Sequence, residues 1–361
     1  MNKYFPELTK NFGFGCMRFP TKGEEVDIPV VKEMVDIFLE SGFNYFDTAR
    51  PYHGGNSERV LKEVLTSRYP REKYILTNKL SPTQFEKEED VRPFFQSQLE
   101  RCGVEYFDFY LFHANSAIRH KKVTETRGYE IVKELKAQGK IRHIGTSFHD
   151  TAEVLDQILT EHPEIEVVQL QFNYVDYDDP NVQARACYEV CRKHGKPVLV
   201  MEPVKGGALV NLPPKALELL EDSPASYALR YAAGFEDIVM VLSGMSNMDH
   251  VRDNIRTMAD FKPLNRKELG IVGKVKTLYQ AQHKIPCTAC RYCVDGCPAG
   301  IDIPALFACL NDKRAEKEGA SEAYAAFEIK ADACLDCGQC ERECPQHLHI
   351  RDLLQEVHKA F

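Results

Sequence analysis

The feature that limits this chain most is a cysteine pattern written twice near its C-terminal end. Cys287, Cys290, Cys293 and Cys297, the last followed by Pro298, recur with identical gaps as Cys334, Cys337, Cys340 and Cys344, followed by Pro345. Two-residue gaps let three thiolates wrap one face of a cubane. The fourth cysteine, set off by a longer gap and a proline, turns toward a neighbouring cubane, which is the spacing of paired 4Fe-4S clusters. The expected ligand sets therefore cross: Cys287, Cys290 and Cys293 with Cys344, and Cys334, Cys337 and Cys340 with Cys297. A pair of zinc sites is the alternative, since zinc also takes four thiolates. Three cysteines at two-residue gaps before Cys-Pro, found twice, favour iron and sulfide over finger spacing.

Of the 13 cysteines, the remaining five, Cys16, Cys102, Cys187, Cys191 and Cys309, have no regular spacing and read as small buried hydrophobes. Cys16 is the one to watch, because it ends the first strand. Clustered thiols point to metal ligation in a reducing interior rather than to disulfides. The first residues hold no basic stretch leading into an apolar core, and no later run reaches membrane-span length, so the expected location is cytoplasmic. A net charge of -8 leaves no electrostatic footprint for nucleic acid or an anionic membrane and favours small-molecule partners. With 361 residues, 43% of them hydrophobic, the chain has room for a barrel-sized domain and a small appendage.

From about residue 11 to 260, short β-rich runs alternate with helical stretches. Strands are expected over 12–17, 44–48, 74–80, 107–113, 141–147, 167–173, 197–202 and 237–243. Between the first two, Val31, Met34, Val35 and Phe38 recur at helical spacing, with Asp27 in the cap region, Pro29 early and Gly42 as the stop. Ile131, Val132 and Leu135 before Gly139 repeat the pattern, as do Val154, Leu155, Ile158 and Leu159 after Thr151. Eight such units, with no Gly-x-Gly-x-x-Gly after the first strand, predict an α/β fold of the (β/α)8 TIM-barrel kind rather than an open doubly wound sheet. Asn265 and Glu268 form a capping-box pattern opening one more helix, and composition changes at Pro286-Cys287. The expected domains are 1–280, the barrel, and 281–361, a small, mainly α-helical iron-sulfur domain. In the latter, Ile303, Leu306, Phe307 and Leu310 mark a helix.

Asp47 ends the second strand and Tyr52 follows in its loop, while Lys79 and His113 lie at the ends of the third and fourth. All four fall on the C-terminal rim, where active sites of such barrels assemble. A phenol with a pKa of about 10 needs help to give up its proton near neutrality. A Lys79 ammonium beside Tyr52 would favour the phenolate, Asp47 would hold that lysine charged, and His113 could orient a carbonyl.

Through the run 43–49 with Tyr52, Ser57-Glu58, Asn78-Lys79, the runs 108–113 and 139–147, and Gln169, the first 280 or so residues resemble the aldo-keto reductase family. The cysteine region resembles the α-helical ferredoxin type. The first resemblance implies an oxidoreductase passing hydride between NADP or NAD and a carbonyl or alcohol, with Tyr52, Asp47, Lys79 and His113 as its catalytic residues. It also implies nicotinamide contacts from Ser147 and Gln169, a stacking position at Met201 where relatives carry an aromatic residue, and adenine-side contacts from Asp253 and Asn254. Phe148 stands where many members have Asn. Gly244 and His250 stand where many members clamp the adenosine 2′-phosphate with Lys and Arg, leaving Arg252 or Lys205 to compensate and the choice between NADP and NAD open.

Two other functions fit the same motifs. One is an electron-transfer protein in which a barrel-bound two-electron carrier is coupled through two 4Fe-4S clusters to a ferredoxin-like partner protein. The other is a non-catalytic redox sensor, against which the intact tetrad argues. Clusters pass single electrons and nicotinamide passes a hydride, so direct coupling requires a converter that the motifs do not contain.

Overall fold

The computed structural model describes residues 2–361. Its first architecture is a closed barrel of eight strands: β1 Phe12–Gly15, β2 Tyr45–Asp47, β3 Ile75–Leu80, β4 Phe107–Asn115, β5 Ile141–Phe148, β6 Val167–Gln171, β7 Val198–Met201 and β8 Ile238–Gly244. Neighbours in sequence are parallel neighbours in the sheet, and β1 closes on β8. Each expected strand is present, with shifted ends. β6 stops at Gln171 because the Asn173 carboxamide oxygen accepts from the backbone N–H groups of Val175 and Asp176, a local turn that competes with the ladder.

The period-two pattern explains what each strand contributes. Tyr45, Ile75, Phe109, Leu111, Val167, Leu199, Met240 and Leu242 face inward as one buried cluster, which Phe5 and Leu8 of the N-terminal segment join. Phe5 meets Phe109 edge-on at 5.0 Å. Outward residues such as Phe14, Phe46, Leu76 and Val168 pack into the larger layer beneath the helices. Gly145 is required by the crowded interior: a Cβ there would lie 2.7 Å from Val167 Cγ1 and 2.9 Å from Val167 O. Two-residue steps upward from the inward set reach Asp47, Lys79, His113, Gln169, Met201 and Gly244, so these six share the inward register at the C-terminal ends of their strands.

The helices form where the apolar periodicity placed them. Ile28–Glu40 buries Val31, Met34, Val35 and Phe38, and Asp27 accepts from Val30 N. Thr151 caps Ala152–Glu161. Arg266–Gln280 opens with a reciprocal capping box, Glu268 N to Asn265 Oδ1 at 3.0 Å and Asn265 N to Glu268 Oε2 at 2.8 Å.

The chain divides into two compact units, one running through Val204 together with Asp222–Leu269, the other made of Lys205–Glu221 and Gly270–Phe361. In the second unit the repeat is deeper than its cysteines. The offset from Cys287 to Cys334 also carries the helical turn Tyr292–Asp295 onto Gln339–Arg342, and the start of Ile303–Arg314 onto that of Ile350–Ala360. The same offset maps the left-handed residues Ala289, Arg291 and Gly300 onto Asp336, Gly338 and His347. The two longer helices supply the core through Ile303, Leu306, Phe307 and Leu310 on one, and Ile350, Leu354 and Val357 on the other. Among the described residues, no helix is long and apolar enough to cross a membrane.

Candidate functional site

Lys79 is fully buried and its ammonium has three protons to place. They point to three oxygens: Asp47 Oδ1 at 2.5 Å, the Thr48 carbonyl at 3.1 Å and the Tyr52 hydroxyl at 3.2 Å. The second Asp47 oxygen accepts from Gln169 Nε2 at 3.1 Å, so the carboxylate is held at both ends. Tyr52 sits on a turn whose next three residues, His53, Gly54 and Gly55, all adopt left-handed backbone. His53 accepts from Phe19 N at 3.0 Å and anchors that turn.

His113 faces Tyr52, ring to ring at 6.1 Å and nearly perpendicular. Its Nδ1 lies 2.6 Å from Ser81 Oγ. Burial first, and then the Lys79 ammonium, hold its pKa well below the ordinary imidazole value, so it is neutral near pH 7. The β4–β5 ladder slips just beyond it, where Ala114 takes a left-handed conformation and donates its N–H to Ser147 Oγ at 2.7 Å. This irregularity re-aims the strand end that carries the imidazole.

Behind the lysine lies a buried polar network. The Glu58 carboxylate, wholly shielded, accepts from Arg50 Nε and Arg101 Nε, each at 2.7 Å, and from Asn78 Nδ2 at 3.0 Å. Gln98, from the helix Glu88–Cys102, donates to the Lys79 carbonyl at 3.0 Å and accepts from the Tyr110 hydroxyl at 2.5 Å. Ser81, Gln98, Arg50 and Arg101 were not singled out by motif, because their pairings join residues far apart in sequence. Cys16 is fully buried, and burial, followed by the Asp47 carboxylate, pushes its thiol well above the usual range. It is a packed thiol rather than a nucleophile.

Around this centre, Gln169, Met201 and Gly244 occupy the same rim, and the stem of Arg18 lies across Gly244, where a Cβ would meet it at 3.1 Å. Arg18 also approaches Glu202 at 3.7 Å. Asn254 donates to Ser243 Oγ at 3.1 Å, and Asp253 accepts from Ser223 Oγ at 2.6 Å and from Arg256 at 2.7 Å. These two sit on the helix Met248–Ala259, beyond the β8 end. Arg252 projects outward, about 64% exposed, whereas Lys205 is buried and bonded to Gln346 in the second unit. Of the two cations left to compensate for Gly244 and His250, Lys205 is thus engaged elsewhere.

In the second unit the eight motif cysteines converge in fours. One small cavity is lined by Cys287, Cys290, Cys293 and Cys344, and another by Cys297, Cys334, Cys337 and Cys340. Each gathers four thiols, three from one motif and one from the other. Burial pushes the Cys293 thiol up, and that of Cys340 to about 11. Bare thiolates here are costly, and the cations of a metal centre would offset that cost. A backbone N–H, that of Ala289, reaches Cys287 Sγ at 3.4 Å from a left-handed residue, a geometry suited to cradling an anionic group. An all-sulfur donor set fits iron-sulfur clusters.

Comparison with known proteins agrees with both halves. Residues 11–276 match the model of the aldo/keto reductase family, and residues 286–348 that of the 4Fe-4S dicluster domain. An NADH-specific methylglyoxal reductase of Escherichia coli is 25% identical over 276 residues, covering 62% of this chain and 82% of that protein. The holo form of aldo-keto reductase AKR11C1 from Bacillus halodurans superposes with a TM-score of 0.61 at 25% identity, covering 73% of this chain and 91% of that one. An aldo-keto reductase from Klebsiella pneumoniae in complex with NADPH shares the fold, with a TM-score of 0.61 at 19% identity over 74% of this chain and 90% of its own. With its closed barrel and its paired four-thiol cavities, the chain belongs to the aldo/keto reductase family and carries a 4Fe-4S dicluster domain.

Proposed function

We propose that the barrel, functionally residues 1–280, reduces a small carbonyl compound with NADH or NADPH, or oxidises the corresponding alcohol in reverse, and that residues 281–361 hold two 4Fe-4S clusters. The observation that carries the reading is the Lys79 ammonium shared between Asp47 and Tyr52, with a neutral imidazole facing the phenol. A bound nicotinamide supplies or accepts the hydride at the carbonyl carbon. Tyr52 hands its proton to the carbonyl oxygen, and the Lys79 ammonium, 3.2 Å away, offsets the negative charge left on the phenol oxygen. Asp47 accepts from the ammonium and keeps it aimed. His113, neutral and with Nδ1 occupied at Ser81, offers Nε2 to the same carbonyl oxygen and orients it. Gln169 donates to Asp47 and so keeps its own carbonyl oxygen for a carboxamide N–H, with Ser147, Met201 and Gly244 around the same rim and Asp253 and Asn254 toward the adenine side.

The methylglyoxal reductase of Escherichia coli, as a relative, supports a small aldehyde as the substrate class. For the clusters we propose the crossed sets, Cys287, Cys290, Cys293 and Cys344 in one, Cys334, Cys337, Cys340 and Cys297 in the other, supported by the two four-thiol cavities. Those cavities also favour a second reading, in which the clusters pass electrons between a barrel-bound two-electron carrier and a ferredoxin-like partner.

The test is NADH and NADPH oxidation by a panel of small aldehydes, using anaerobically purified protein. The expected result is turnover that Tyr52→Phe lowers by about 10²–10⁴-fold. Undiminished turnover in that variant overturns the assignment of Tyr52.

A further inference from the structure

Away from the catalytic rim, two imidazoles and a carboxylate converge between two helices of the first unit. His120 lies in the helix Ala117–Glu125, while Glu161 and His162 are the last residue and the C-cap of the helix Ala152–Glu161. One ligand atom from each of the three falls within 4.8 Å of the other two. The closest pair, His120 Nε2 and Glu161 Oε2, is 3.0 Å apart. The imidazoles are 13% and 15% exposed and the Glu161 side chain 47%, so the rings are mostly buried while the carboxylate reaches solvent.

Both rings are held by one buried residue. Tyr129, 1% exposed, lies flat on the His162 ring, with centroids 3.5 Å apart and planes at 10°. Its hydroxyl is 2.9 Å from His120 Nδ1 and accepts from Asn115 Nδ2 at 3.0 Å. His162 Nδ1 is 3.3 Å from Glu164 Oε1, a carboxylate that also lies 3.8 Å from Lys133. Each Nδ1 thus has an oxygen partner, the support that fixes the ring and tautomer of a metal-bound histidine. With the ring proton on Nδ1, His120 Nε2 and Glu161 Oε2 are two acceptors facing each other, and a cation between them satisfies both. Their separation is close to the roughly 3.3 Å edge of a tetrahedron with metal–ligand bonds of about 2.0–2.1 Å.

We propose that His120, Glu161 and His162 bind a divalent transition metal of the zinc class, with water in the fourth position. Two imidazoles and one carboxylate suit such an ion better than magnesium or calcium, which take oxygen ligands. The C-terminal end of a helix carries partial negative charge, so the position at the end of Ala152–Glu161 also favours a cation. The ion bridges the helix that follows the His113 strand to the helix that follows β5. The site shares no residue with the catalytic centre or with the cysteine cavities, so it stands or falls apart from them.

The experiment is a calorimetric zinc titration of the full, cluster-loaded chain, with zinc-edge X-ray absorption on the sample at one equivalent and the cluster absorbance followed throughout. The expected result is one tight equivalent that leaves the cluster absorbance unchanged. Its first shell holds nitrogen and oxygen at about 2.0–2.2 Å, without the sulfur at about 2.3 Å that cysteine ligation gives. His162→Gln and Glu161→Gln should each weaken this equivalent by about tenfold or more. Should His162→Gln fail to fold, Glu161→Gln, whose side chain is half exposed, is read alone. Absence of a tight equivalent, a sulfur first shell, or unchanged affinity in a folded ligand variant overturns the site.

Discussion

Replacing Lys79 by methionine keeps the volume of the side chain and removes the charge that three buried oxygens share. The Asp47 carboxylate, 4% exposed, keeps the Gln169 amide as a donor but loses its ammonium. Breaking a buried ion pair from one side typically costs about 3–5 kcal/mol, because the remaining charge stays desolvated. With an unfolding entropy of roughly 2.1 cal/mol/K per residue, spread over the 11–276 barrel, that loss lowers Tm by about 5–9 °C. Adding Asp47→Asn removes the stranded charge and should recover most of the loss, since replacing both members of a buried pair is often nearly neutral. Activity should behave otherwise: Lys79→Met loses about 10²–10⁴-fold, and the double variant does not regain it. The assay pairs calorimetric melting with NAD(P)H oxidation in the same preparations. If the double variant recovers activity together with stability, the pair is structural and the catalytic role assigned to Lys79 is refuted.

His113 makes the fold sensitive to mild acid. Its folded pKa lies below the unfolded value of about 6.5, so below that value the unfolded chain binds more protons, and stability is lost as pH falls from there. Above it both states are neutral and His113 contributes nothing to the pH dependence. Urea midpoints at about pH 7.5 and pH 5.5 should therefore drop further in wild type than in His113→Gln, and equal drops would contradict the buried neutral imidazole. Crossed ligation has its own signature. Cys297→Ser should disturb the same cluster signal as Cys337→Ser, and Cys344→Ser the same as Cys290→Ser, with iron falling from about eight to about four per chain when one cluster is lost. If Cys297→Ser instead matches Cys290→Ser, ligation is within motifs.

Much of the barrel was legible because its information is local. Alternation and helical spacing located eight strands and the helices between them, and parity along each strand is enough to bring Asp47, Lys79 and His113 to one rim. The cysteine gaps were equally plain, and the cavities gather the thiols in the crossed sets that those gaps suggested. What escaped depends on contacts between distant residues. Gln98 looks like any polar residue of an exposed helix until the fold sets its amide against the Lys79 carbonyl. Ser81 on His113, and Arg50 with Arg101 on Glu58, are hidden for the same reason. The left-handed Ala114 breaks no sequence rule, since nothing about an alanine announces φ 48°. Lys205 read as a cation available to a phosphate; its burial against Gln346 is a property of the folded second unit alone. The structural repeat there is masked in sequence because only the cysteines, their prolines and the helix starts coincide, while intervening residues differ.

The central claim is that hydride passes directly between nicotinamide and carbonyl at the Tyr52 centre, with electrons from the clusters taking no part in that bond. The most direct measurement uses NADH or NADPH carrying deuterium at the transferable C4 position, with a substrate the enzyme turns over, in ordinary water. Direct transfer places the deuterium on the carbinol carbon of every product molecule, with the hydroxyl proton coming from Tyr52 and solvent. Product carrying protium at that carbon would mean that electrons and protons had travelled separately, and would contradict the account.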